Sequence, residues 1–238
     1  MSLKKRLLMI FGPIFAAAAL MLVVFLSPLW SGLNYVNPTV QRNAASSLSP
    51  QVLKGQLIKQ RALENHYVPF FGSSEWSRFD PFHPSVLADK YQRSYRPFLI
   101  GARGSQSLTN FFVMQSINHQ LKGKKAVFFI SPQWFTPMGE DPNAFSFYYS
   151  PLQTTTWIEA ETGTKMDRYA AYRLLQMPSG NSDKIISATL ARIAAGLKPT
   201  SFQYFYVGVR HRILLNEDQI YSRYRIPFNN AQTLDKNM

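Results

Sequence analysis

The chain contains no cysteine. Exported domains often rely on disulfides, so a domain built from this sequence must be held together by its core alone. Acidic residues are scarce as well: 13 Asp and Glu stand against 26 Lys and Arg, a formal net charge of +13. Only three of those charges (Lys4, Lys5 and Arg6) belong to the extreme N-terminus. The rest of the chain is therefore basic in its own right, as suits a surface lying against anionic lipid headgroups or a polyanionic substrate, and charge does not choose between the two. Histidine occurs four times, and the sequence offers no nucleotide motif and no metal-ligand pattern, so neither cofactor nor metal is expected. Disorder is excluded by a composition that is 46% hydrophobic and 14% aromatic.

Against these absences stands one long apolar run. Residues 7–26, LLMIFGPIFAAAALMLVVFL, carry no charge. At about 1.5 Å per residue they span roughly 30 Å of helix, the thickness of a bilayer core. A cleaved signal peptide has a shorter apolar region of about 7–15 residues followed by an A-x-A-like site. Here Ala16–Ala19 lie inside the run and the exit is Ser27-Pro28-Leu29-Trp30. The expectation is an uncleaved anchor with Trp30 and Tyr35 near the outer interface. Pro13 is tolerable within such a helix. The basic residues before it stay cytoplasmic and the remainder lies outside, which also argues against nucleic acid as a partner.

The remaining chain divides by composition: a basic tail (1–6), the anchor (7–26), a polar stalk (27–65) with a helix over 50–65, and an α/β domain (66–238). Residues 67–71 read as a strand, 97–100 as a second apolar run closed by Gly101-Ala-Arg-Gly104, 106–121 as a helix and 126–130 as a third strand. Strand, glycine loop, helix and strand predict parallel strands with right-handed crossover. From about residue 143 the pattern becomes helical, with helices over 164–176, 184–197 and 202–224 separated by the breaker Pro178-Ser-Gly-Asn181. No convincing strand follows residue 131, and three parallel strands with one glycine loop make an unfinished sheet. The tail over 229–238 reads as a linker.

The chemistry-bearing candidate is Phe71-Gly-Ser-Ser-Glu75, where an apolar strand stops in glycine and two serines. A serine nucleophile needs exposure at a sharp turn, a base, and donors facing the oxyanion. In an open α/β sheet the carboxyl ends of the strands converge on one crevice. Residues just after the other two strands, 101–105 and 131–135, should therefore neighbour Ser74. The Gly104 backbone N–H and the Gln133 side-chain amide are the candidate oxyanion donors. The alternative at this point is a helix N-cap followed by an acidic first turn.

The combination of Phe71-Gly-Ser-Ser-Glu75, Asp80-Pro-Phe82, Leu99-Ile-Gly-Ala-Arg-Gly104, Ile130-Ser-Pro-Gln-Trp-Phe135 and Gln51-Val-Leu-Lys-Gly55 resembles the D-alanyl-lipoteichoic acid biosynthesis family DltD, over essentially the whole chain. That family is similar to SGNH-type hydrolases, which use a serine, an Asp-x-x-His pair and backbone or amide oxyanion donors. The resemblance implies an SGNH-hydrolase-like three-layer α/β sheet with a helical insertion and one N-terminal transmembrane helix. It places the nucleophile at Ser74, and puts Gly104 and Gln133 where the superfamily keeps glycine and asparagine; glutamine at 133 is a departure.

A second departure concerns the base. The chain's one Asp-x-x-His, Asp80-Pro-Phe-His83, lies too close to Ser74 to match the family's C-terminal pair. His66, His119 and His211 fit no such pattern. The catalytic Asp and His are expected beyond residue 238. The implied function is D-alanylation of lipoteichoic acid at the outer face of a Gram-positive membrane by serine-mediated ester transfer. Such transfer adds amines to the polymer and weakens its attraction for cationic peptides. The implied partners are lipoteichoic acid, the membrane, and a membrane acyltransferase or D-alanyl carrier. The alternatives are a thioesterase or esterase of the same fold, and a non-catalytic anchored subunit. The aromatics over 134–149 read as core, or as a hydrophobic surface meeting a membrane partner.

Overall fold

The computed structural model describes residues 3–27, 36–78, 80–137 and 139–224. Trp30, Tyr35 and the tail over 229–238, singled out above, lie outside the described residues. Helix α1 (Leu3–Leu26) contains a 21-residue stretch, Lys4–Val24, with mean hydropathy 2.6 and no burial against the rest of the molecule. It is long and apolar enough to cross a bilayer.

Residues 36–64 form three short helices, α2 (Pro38–Ala45), α3 (Pro50–Lys54) and α4 (Leu57–Glu64). Each of the first two starts on a side-chain cap followed by proline, Asn37-Pro38 and Ser49-Pro50, a combination that satisfies an orphan N–H and presets φ. The single helix expected over 50–65 is broken at Gly55, whose extended backbone separates α3 from α4. Composition placed this segment in a stalk, yet Val36, Ala44, Val52, Leu53, Leu57, Ile58, Ala62 and Leu63 are buried with Phe71 and Phe98 in the main core.

Strands β1 (Tyr67–Phe71), β2 (Arg96–Ile100) and β3 (Val127–Phe128) form a parallel sheet in the order β2-β1-β3. Its central strand is thus the one that leads into Ser73-Ser74. Alternation with period two distributes the strands between two faces. Tyr67, Phe71, Phe98 and Ile100 face the core built with α3, α4 and α6 (Ser107–Ser116). Phe70 and Leu99 face the other way, against Trp76. The third strand pairs over two residues only, Phe70 with Val127 and Phe71 with Phe128, shorter than the run over 126–130. The helix expected over 106–121 is interrupted at Ile117, giving α6 and α7 (Asn118–Leu121).

Beyond Pro142 every described element is helical: α8 (Pro142–Tyr148), α9 (Pro151–Ala160), α10 (Lys165–Leu175), α11 (Lys184–Ala194) and α12 (Ser201–Tyr224), with a 3-10 turn at Pro178–Asn181. A second core unites these helices through Phe145, Trp157, Ala171, Leu174, Leu190, Ile193 and Val207. Helix α6 joins the two cores, since Leu108 and Phe112 point into the helical one while Val113 and Ile117 point at the sheet. The protein is a mixed α/β structure with a parallel sheet, a helical layer and one apolar N-terminal helix. Of the six aromatics over 134–149, Trp134, Phe145 and Tyr148 are buried, Tyr149 is half-buried, and Phe135 and Phe147 are exposed.

Candidate functional site

The chain turns sharply after β1 because three glycine and serine positions permit close approach. Gly72 N–H still donates to Ile100 C=O at 2.9 Å. A Cβ on Gly72 would stand 2.7 Å from the Trp76 ring, which is buried beneath the turn. Trp76 is wedged edge-on against Phe70 and Phe129, with ring centroids 6.1 and 4.9 Å apart. This indole anchors the 3-10 turn Ser74–Ser77 from below.

Buried polar groups stitch the ends of β1 and β2 together. The Gly72 carbonyl accepts from Ser105 Oγ and Asn110 Nδ2, both at 3.2 Å. Ser105 Oγ in turn accepts from Ala102 N–H at 3.0 Å, and Ser73 Oγ lies 3.4 Å from Ala102 C=O. Ser73, Ser105 and Asn110 are all buried, so the two serines of the motif divide their roles: Ser73 is used by the fold. Ser74 is exposed, and among the described residues no hydrogen bond holds its hydroxyl. Its carbonyl accepts from Ser77 Oγ at 2.6 Å, and the Glu75 carboxylate turns back to accept from Ser73 N–H. The N-cap alternative is therefore partly present, but Ser73 makes no side-chain cap and the acidic residue does the capping.

The sheet order sets the loops after β2 and β3 on either side of the Ser74 turn. Gly104, half-buried with φ +90°, sits on the first, in backbone that favours glycine. That loop is tethered by Tyr148 Oη, which donates to Arg103 C=O at 2.8 Å. Gln133 lies exposed on the second, in the 3-10 turn Pro132–Phe135. The turn is pinned by buried Trp134, edge-on to Phe128 at 5.8 Å.

One residue that binds these loops together has no signature in the sequence. Glu140, buried, accepts from Leu108 N–H at 2.9 Å, Gln106 N–H at 3.3 Å and Thr109 Oγ1 at 2.8 Å. It caps α6 from the loop after β3, so one carboxylate fixes the loop that follows Gln133 to the helix that follows Gly104. Burial pushes its carboxyl pKa up, and the hydrogen bonds it accepts only partly oppose this.

The four histidines sit in four different settings. His83, 3% exposed, caps α5 (Pro84–Lys90) by accepting from Ser85 N–H at 3.3 Å through Nδ1. Burial pushes its pKa down, against a hydrogen bond with the Trp76 backbone and the nearby Asp80 carboxylate. His211 pairs with Glu159 and contacts Thr156 Oγ1. His66 and His119 are exposed, one before the first residue of β1 and the other on α7. Among the described residues no cluster of His, Asp and Glu is placed to hold a metal ion.

These features define a parallel α/β protein with an exposed serine at the end of its central strand and one helix able to cross a bilayer. Residues 45–238 match the family described as DltD protein, and the chain belongs to that family. It is 46% identical over 227 residues to Protein DltD of Lacticaseibacillus rhamnosus, covering 94% of this chain and 53% of that protein. It is 38% identical over 170 residues to Protein DltD of Staphylococcus aureus, covering 71% and 44%. With Protein DltD of Bacillus subtilis it shares 32% identity over 216 residues, covering 85% and 53%. The chain thus spans about half the length of these relatives.

Proposed function

We propose that this chain carries the nucleophile and the oxyanion donors of a membrane-anchored acyltransferase that adds D-alanyl esters to lipoteichoic acid on the outer face of the membrane. The observation that carries the reading is the setting of Ser74: exposed on a turn fixed by Trp76, at the end of the central parallel strand, between the loops of Gly104 and Gln133.

Ser74 Oγ attacks the carbonyl carbon of a D-alanyl ester or thioester. The new Oγ–acyl bond forms as the donor's acyl–oxygen or acyl–sulfur bond breaks, and the serine proton leaves with the donor's alcohol or thiol by way of a base. The Gly104 N–H and the Gln133 amide receive the oxyanion. A glycerol hydroxyl of the polymer then attacks the acyl-serine, takes over the acyl group and returns a proton to Oγ. The transfer from ester to ester is close to neutral in free energy and consumes no nucleotide. We place the base and its orienting carboxylate in the half of the relatives' length that this chain does not span, since His83 is engaged as a helix cap, His211 is paired with Glu159, and His66 and His119 stand before β1 and on α7. Lys4, Lys5 and Arg6 hold the N-terminus of α1 in the cytoplasm. The positive charge of the outer part favours a polyphosphate acceptor.

The same histidine settings favour one second reading, an anchored subunit that positions a carrier or a membrane acyltransferase without forming an acyl-enzyme. A serine-reactive fluorophosphonate separates the two. The full-length protein should be labelled, with the adduct mapping to Ser74 and lost in Ser74→Ala but kept in Ser77→Ala. An unlabelled wild-type protein, or labelling that survives Ser74→Ala, leaves the subunit reading in place.

A further inference from the structure

A well-formed cleft lies at the end of the sheet opposite to Ser74. Tyr67 and Arg96, which line it, are register partners at the amino ends of β1 and β2. Five residues of strand, about 16 Å, therefore separate it from the serine edge. The cleft encloses about 380 Å³, the size of a small-ligand site.

Its lining is charged in one sense. Arg42 comes from α2, Arg93 from the turn after α5 and Arg96 from the first position of β2, against the single carboxylate of Asp89. The turn that presents Arg93 is held by its own backbone: Gln92 takes φ +47°, and Arg93 N–H donates to Ala88 C=O at 2.9 Å. All three arginines are exposed, and among the described residues none of them is in an ion pair. Bringing three guanidinium groups from three separate elements to one cleft costs mutual repulsion that a bound anion would remove. Guanidinium forks match the paired oxygens of a phosphate better than ammonium groups do. Asn43 and Ser46, also lining the cleft, can bond hydroxyls flanking such a group.

We infer that this cleft is a phosphodiester site, occupied by the glycerol-phosphate backbone of the acceptor polymer at a point remote from the acylated hydroxyl. The substrate class rests on the proposed function; the anion site rests on the three arginines. A repeating polymer can engage both ends of the sheet at once, so the cleft holds the chain while successive hydroxyls pass Ser74.

The test is a titration of a soluble glycerol-phosphate oligomer into the full-length protein in neutral phosphatidylcholine nanodiscs, followed by calorimetry. Wild type should bind, and a protein carrying Arg42→Gln, Arg93→Gln and Arg96→Gln should bind about tenfold more weakly or worse. The three side chains are exposed, so the variant should melt at the wild-type temperature, and that melt certifies its fold. Ser74→Ala should bind like wild type; normal binding by a Ser74→Ala protein that still supports D-alanylation would sink the catalytic reading while leaving the cleft intact. Absence of binding by wild type, or equal binding by the triple variant, overturns the site. Binding that arises only in phosphatidylglycerol nanodiscs, without the oligomer, would give the cleft to a lipid headgroup and overturn the polymer assignment.

Discussion

Gly101 stands so close to Gly72 that a Cβ on Gly101 would lie 2.4 Å from the Gly72 carbonyl oxygen. The contact is between backbones at the carboxyl ends of adjacent strands, so no side chain can swing aside. Gly101 also has φ +155°. Gly101→Ala should cost about 3 kcal/mol, a fall in melting temperature of about 6–12 °C for a chain of this size. Gly123→Ala is the control, because φ there is also positive but nothing lies within 4 Å. Its cost should be only about 1–2 kcal/mol. Equal melting temperatures for the two variants would contradict the packing described at the strand ends.

Glu140 ties the loop after β3 to α6 through three donors. Removing a buried charged acceptor from paired donors costs about 1.5–3 kcal/mol, so Glu140→Ala should destabilise by that amount. Folding raises the Glu140 pKa above its ordinary 4.5. The folded state then holds this proton more firmly than the unfolded chain, and the contribution to stability is present at low pH and lost as pH rises from the ordinary value through the raised one. Urea midpoints measured across that window should fall with pH in the wild type relative to Glu140→Gln, which does not titrate.

Lys59 is fully buried, with Nζ donating to the carbonyls of Val52 at 3.2 Å and Leu53 at 2.6 Å and to that of Gly55. Asp218 on α12 meets the start of α4 from the other side, accepting from Gln56 N–H at 3.0 Å and Leu57 N–H at 2.8 Å. Burial lowers the Lys59 pKa to about 7, against the attraction of Asp218. Burial raises that of Asp218, against the two N–H donors and Lys59. Because the lysine is harder to protonate in the folded state, stability from this group is complete above its ordinary 10.5 and is lost as pH falls toward 7. Wild type should therefore gain stability between about pH 7 and pH 9.5 relative to Lys59→Met. Urea unfolding at the two pH values reads the difference directly.

His83 contrasts a motif with its environment. Its sequence context, Asp80-Pro-Phe-His83, has the spacing of a catalytic pair, but the ring caps α5 and is buried. Its folded pKa lies below the ordinary 6.5, so the stability it supports is present above that pH and lost as pH falls through the folded value. Asn can take over the cap. His83→Asn should keep D-alanylation of the polymer in cells and flatten the acid limb of the stability curve. Loss of D-alanylation with an unchanged melting temperature would make His83 a catalytic residue after all.

Much of the sheet was legible from the sequence because strands β1 and β2 announce themselves as short apolar runs closed by glycine. The third strand was overestimated, since Phe129 and Ile130 are as apolar as their neighbours but pair with nothing in β1 beyond one bond from Phe129 N–H to Phe71 C=O. The core role of residues 36–64 was hidden because α2 mixes its apolar residues with Gln41, Arg42 and Asn43, although the Asn37-Pro38 cap is a start signal. Lys59 carries no sign of burial in the sequence; its ammonium is taken up by the carbonyls of Val52, Leu53 and Gly55, which only the break between α3 and α4 turns toward it. Glu140 was invisible because its partners lie 31–34 residues away. The loops of Ser74, Gly104 and Gln133 were legible because glycine and serine after a strand are local signals and the sheet order sets those loops side by side; the roles of the three residues belong to the proposal.

The central claim is that Ser74 carries the acyl group. The most direct measurement is the D-alanyl ester content of lipoteichoic acid from cells whose sole copy of the full-length gene carries Ser74→Ala, with Ser77→Ala as control and protein abundance checked in both. The proposed chemistry predicts that Ser74→Ala lowers the ester content to the level of a gene deletion while Ser77→Ala leaves it unchanged. Wild-type ester content in Ser74→Ala cells would contradict it and leave an anchored subunit without an acyl-enzyme.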